Sequence, residues 1–153
     1  MDRVKRLQRL LKLRERRERQ ASLQLALGLR EDRERRLALS EAEGQLEEAR
    51  GIWRDELGGG LSAARLSLLR TYLDQRQRGR TQREGLVREW QPRLALQRVE
   101  LNTAARDRQA LEHWRDRLLG RLKLDAERAE RRVLDEIGLR ETLRRNDPEH
   151  GED

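Results

Sequence analysis

The sequence predicts an all-α protein: a long antiparallel two-helix coiled-coil hairpin with an overhanging C-terminal helix. Three observations carry this. Leu, Arg, Glu and Gln, all good helix formers, dominate both sides of one break, Gly58-Gly59-Gly60. Apolar residues recur at alternating steps of three and four, the period of a helix seam. Finally, 42% of the 153 residues are charged and only 35% hydrophobic, without Phe or Cys. That leaves too little apolar volume for a broad core, and a narrow seam between two helices is what it can fill.

The bend comes first because everything else is measured from it. Each glycine inside a helix costs roughly 1 kcal/mol relative to Ala, so three in a row end one. Ser62 follows with a hydroxyl suited to capping a new helix. The expectation is a helix over 3–57, a glycine bend over 58–61 and a helix over 62–145, forming one domain over 1–146. A flexible linker between two independent helices is the alternative.

In the first arm the stripe runs Val4, Leu7, Leu11, Arg14, Glu18, Ala21, Leu25, Gly28, Asp32, Arg35, Leu39, Ala42, Leu46, Ala49, Trp53. Its two ends are apolar, but Arg30 to Arg36 is charged on every face. A weakly packed, underwound segment is expected there rather than a break, with Glu31 and Arg35 supporting the helix at i,i+4.

The second arm carries Leu66, Leu69, Leu73, Val87, Trp90, Leu94, Leu101, Ala104, Leu111, Leu118 and Leu122, then slips toward Ala126, Ala129, Val133 and Ile137. The slip is a stutter that relaxes supercoiling. Leu94 and Leu101 are expected to be buried. Pro92 lacks an amide hydrogen, so it kinks the helix or divides it, and a kink keeps Trp90 and Leu94 on one stripe. With the bend at the glycines, residues whose numbers sum to about 120 pair, which sets 30–36 opposite 84–90. At 1.5 Å per residue the arms span about 80 and 125 Å, so residues beyond about 117 lack a partner. Asn146-Asp147-Pro148 ends the helix, and 147–153 is expected to be a disordered acidic tail.

The net charge of +7 is uneven. Residues 1–20 hold nine Lys or Arg against Asp2, Glu15 and Glu18, and residues 65–98 hold nine Arg against Asp74, Glu84 and Glu89. Acidic partner surfaces or plain solvation both account for these zones. Nucleic acid is disfavoured, because the arginines interleave with acids and form no basic block. No signal peptide or membrane span is discernible, which reads as a cytosolic protein.

Catalytic motifs are missing: there is no Walker loop, G-x-G-x-x-G, H-E-x-x-H or nucleophile elbow. His113 reads as a surface residue. No enzyme activity, cofactor or metal is expected. Trp53 and Trp90 fall on the seams and read as packing. Tyr72 and Trp114 lie beside them, where packing and partner binding are both open.

Arg6-Leu7-Gln8-Arg9-Leu10-Leu11-Lys12-Leu13-Arg14-Glu15, with Glu18, Ala21 and Leu25-Ala26, resembles the opening of the flagellar export protein FliJ. Gly60-Leu61 followed by Leu69 and Tyr72 is similar to that family's bend, and Glu130 to Glu136 to its closing segment. The stalk proteins of injectisome secretion (the YscO/InvI-like group) share the pattern. The resemblance implies a stalk-like coiled coil of a type III export apparatus, at the inner face of the bacterial membrane and held there only through that apparatus. Its implied partners are the hexameric export ATPase, the cytosolic domain of the export gate, and export chaperones. Carried onto this chain, the ATPase contact would include Arg6, Arg9, Leu118 and Leu122, and the gate contact Tyr72 and Arg76. Arg76, Gly79 and Arg83 depart from the more apolar character of the family there. A generic structural coiled coil is the remaining class.

Overall fold

The computed structural model describes residues 2–146, and among these there are only helices and the bend. Helix α1 is Asp2–Leu57 and α2 is Ala63–Asn146, packed against each other as an all-α hairpin. The expected acidic tail lies outside the described residues. None of the described helices is long and apolar enough to cross a membrane.

The bend is built as its residues require. Gly59 donates its amide to Glu56 O at 3.2 Å, and Gly60 takes φ +72°, a left-handed conformation that side chains resist. Ser62 then caps α2: its carbonyl accepts from Leu66 N at 3.0 Å and its hydroxyl from Arg65 N at 3.4 Å. Arg65 reaches back to Glu56 at 2.8 Å, tying the two helices together across the turn. Helix α2 runs on through Pro92 without division.

The contacts divide the chain into two compact units. One is Arg14–Arg106, the bend unit. The other combines Met1–Leu13 with Asp107–Asp153, the terminal unit.

In the bend unit the α1 stripe faces α2 throughout. Gly28, Asp32, Leu46 and Ala49 are buried, and Ala21, Leu25, Arg35, Leu39, Ala42 and Trp53 are half-buried. Leu94, only 2% exposed, is the buried apolar centre of α2. Contacts between the helices join residues whose numbers sum to about 120, among them Arg76 with Gln45, Arg35 with Leu86 and Trp90 with Gly28. Two seam expectations need correcting. Leu101 is half-buried, and Leu66 is exposed, because close to the bend little of α1 remains to cover it.

The charged middle of α1 also differs from expectation. It is no underpacked stretch: Asp32 is 9% exposed and fully bonded. Side chains long enough to reach across the seam replace leucine packing there with hydrogen bonds.

In the terminal unit Leu7 (2% exposed) and Leu11 are buried, with Leu111 and Leu118 half-buried. After Leu118 every described residue except Glu127 is exposed.

Candidate functional site

The residues picked out by sequence fall into separate units. Arg6, Arg9, Leu118 and Leu122 belong to the terminal unit, while Tyr72 and Arg76 belong to the bend unit.

On α1 of the terminal unit, Leu7 and Leu11 turn inward, which leaves Arg6 and Arg9 exposed with no ion pair among the described residues. Among the described residues, nothing neutralises their positive charge through an ion pair. Leu118 is the last half-buried leucine of α2, and Leu122 one turn on is 47% exposed. Leu124, Val133, Leu134, Ile137, Leu139 and Leu143 follow, all exposed. Trp114 also stands exposed in this unit.

In the bend unit Tyr72 and Arg76 form one assembly. The Arg76 guanidinium lies 5.1 Å from the Tyr72 ring centroid, and its Nη1 donates to Gln45 Oε1 of α1 at 2.8 Å. Both residues are half-buried, so the aromatic face and the charge are held in place rather than left free. Nearby, Arg80 approaches Glu43 at 3.9 Å and Glu84 at 3.5 Å. Gly79 is half-buried and Arg83 exposed.

A second polar assembly, which motif and periodicity do not single out, surrounds Asp32. Arg36 Nε donates to Asp32 Oδ2 at 2.9 Å, and Gln91 Nε2 to Asp32 Oδ1 at 2.7 Å. Trp90 Nε1 donates to the Gly28 carbonyl at 2.9 Å, and Arg35 Nη1 to the Leu86 carbonyl at 2.7 Å. Arg35 and Arg93 sit 4.7 and 5.5 Å from the Trp90 ring centroid. The Asp32 carboxyl is held below its ordinary value of 3.8, first by the Arg36 hydrogen bond and then by Gln91 and the Arg36 and Arg98 charges, against an upward push from burial. A signal for this assembly does exist in the sequence: Asp32 is an acid on the stripe, and Gly28 is a glycine on it one turn earlier.

Among the described residues no group of His, Cys, Asp and Glu could hold a metal ion. His113 is exposed, beside Asp116 and Arg117.

The class these features define is an α-helical hairpin whose distinctive chemistry lies in charged, aromatic and apolar surfaces turned outward. Its family is more specific. The family model described as flagellar FliJ protein matches residues 3–147, and this chain belongs to the FliJ family. It is thereby a component of the flagellar export apparatus. No curated protein and no solved structure matches the chain.

Proposed function

We propose that this protein is a non-enzymatic stalk and chaperone component of flagellar type III protein export. It binds the hexameric export ATPase through the terminal unit and the cytosolic domain of the export gate through the bend unit. The single observation that supports this most is the family match over 3–147, which covers the helices carrying both sets of residues. The separation of those sets between the units agrees with two partners. In this reading the protein stays at the inner face of the cell membrane through its partners, and it also meets export chaperones.

Each surface carries chemistry suited to the role proposed for it. Arg6 and Arg9, exposed and without an ion pair among the described residues, supply charge to an acidic pore lining, and Leu118 and Leu122 supply modest apolar contact. Modest contact suits a stalk, since large buried anchors would hold it rigidly. Tyr72, steadied by Arg76, offers the gate an ordered aromatic face.

The test is a split phenotype. The purified protein should stimulate its cognate export ATPase while hydrolysing no ATP itself. Arg6→Glu with Arg9→Glu should weaken stimulation at unchanged helicity and leave gate binding intact. Tyr72→Ala should weaken gate binding and spare stimulation. If both variants impaired the same interaction equally, the division of roles would be wrong. No response of the ATPase to the wild-type protein would reject the stalk reading.

A further inference from the structure

We infer that the Gly28–Asp32–Trp90–Gln91 assembly is a register lock, a device that selects one alignment of the two helices from several that the leucines alone would tolerate. The inference concerns the bend unit and is independent of which partners the protein binds.

The α1 stripe repeats strictly every seven residues: Leu25, Asp32, Leu39, Leu46 and Trp53 on one line, Ala21, Gly28, Arg35, Ala42 and Ala49 on the other. Apolar residues in such a repeat mate almost as well after a slip of seven, because knobs of the same kind arrive over the same holes. A single polar seam residue is the known remedy, since it is satisfied in one alignment only.

The structure places three cross-helix contacts within two turns; the side-chain pair Asp32–Gln91 is specific to one alignment, while the other two end on backbone carbonyls, which recur at every residue. Asp32 is level with Gln91, the indole N–H of Trp90 with the Gly28 carbonyl, and Arg35 with the Leu86 carbonyl. A slip of seven would bring Asp32 level with Glu84 or Arg98, and Trp90 level with Ala21 or Arg35. The first direction sets two carboxylates together, and either puts a residue with a Cβ, Ala21 or Arg35, where Leu94 and Gln97 now lie against Gly28.

Gly28 gives the lock its shape. It is the only glycine on the α1 stripe, and a Cβ there would overlap the Gln97 carboxamide and meet Leu94 Cδ1 at 3.3 Å. Gly44 and Gly51, by contrast, have open space around them. A glycine inside a helix weakens it, and here its missing Cβ is what lets Leu94 and Gln97 lie against α1 in this alignment. Gln97 Oε1 is buried there without a hydrogen-bond partner, a cost that this close contact carries.

The competing explanation is that the glycine bend alone sets the register. The chain has no cysteine, so Ser40→Cys and Thr81→Cys, both exposed in the wild type, accept spin labels cleanly. Double electron–electron resonance on the full-length protein should give one narrow distance. Asp32→Leu with Gln91→Leu completes an apolar seam and should keep the melting temperature or raise it. It should nevertheless add a second population, its alignment shifted by about 10 Å along the helix axis, the rise of seven residues. A single narrow distance both in that variant and when Gly28→Ala is added to it would overturn the lock. As a second arm, two extra glycines inserted after Gly59, with the assembly intact, should leave the distance single and narrow. Broadening in that chain would overturn the lock by assigning register to the bend.

Discussion

Two stretches of this protein invert the usual relation between polarity and burial. Around Asp32, seven consecutive residues from Arg30 to Arg36 are charged, yet the carboxylate is buried. From Leu119 to Leu143 leucines, Val133 and Ile137 recur, yet all are exposed. Polarity alone does not explain either. What decides burial is the opposing helix: present at Asp32, it brings Gln91 and Trp90, and beyond Leu118 no covering neighbour is left among the described residues. A buried charge is tolerable when each oxygen has a donor, and an exposed leucine costs little on its own.

The comparison can be broken most strongly at a buried leucine. Leu94→Ala should cost about 2–3 kcal/mol and lower the melting temperature by several degrees, because the vacated space cannot fully collapse. Val133→Ala on the exposed stripe should stay within about 0.5 kcal/mol. Equal effects, read by thermal unfolding, would mean that coverage does not separate the two stretches.

Smaller, and aimed at the polar side, is Asp32→Ala. It strips Gln91 Nε2 and Arg36 of their shared acceptor and should cost about 1–2 kcal/mol in chemical denaturation. A neutral result would show that water already satisfies this site. Trp90→Phe keeps an aromatic ring but removes the pyrrole half with its donor to Gly28 O, so at least about 1 kcal/mol is expected, without loss of helicity.

The smallest effect is on pH dependence. The folded-state pKa of Asp32 is lowered, so the folded chain binds fewer protons there than the unfolded chain. Its stabilisation is complete above the ordinary value of 3.8 and is lost as pH falls below that toward the lower folded value. Melting curves between about pH 5 and pH 2 should therefore fall less steeply for Asp32→Asn than for the wild type. Parallel curves would show that Asp32 ionises alike in both states.

Much of this is legible in the order of the amino acids. Three glycines followed by a serine can only interrupt helices and start a new one, so the bend follows from backbone entropy and capping. A three-four stripe dictates which side of α1 is covered, and every member from Val4 to Trp53 is buried or half-buried. The family too can be read from the order of short segments, since order survives where single coiled-coil motifs are ambiguous.

What tertiary structure alone decided was the meaning of the residues that break the stripe. Read along the chain, Asp32 and Gly28 are defects, one too polar for a seam and the other too weak for a helix. Set against α2, Gly28 is the space in which Leu94 and Gln97 sit and the carbonyl to which Trp90 donates, and Asp32 is the acceptor that Gln91 needs. Likewise Tyr72 and Arg76 are merely neighbours on a helix until Gln45 of α1 anchors the arginine. Periodicity is a local property and can be counted from one helix. Whether a polar seam residue is a fault or a fitting depends on what stands opposite it, at a distant point in the chain, and only the packed pair of helices supplies that.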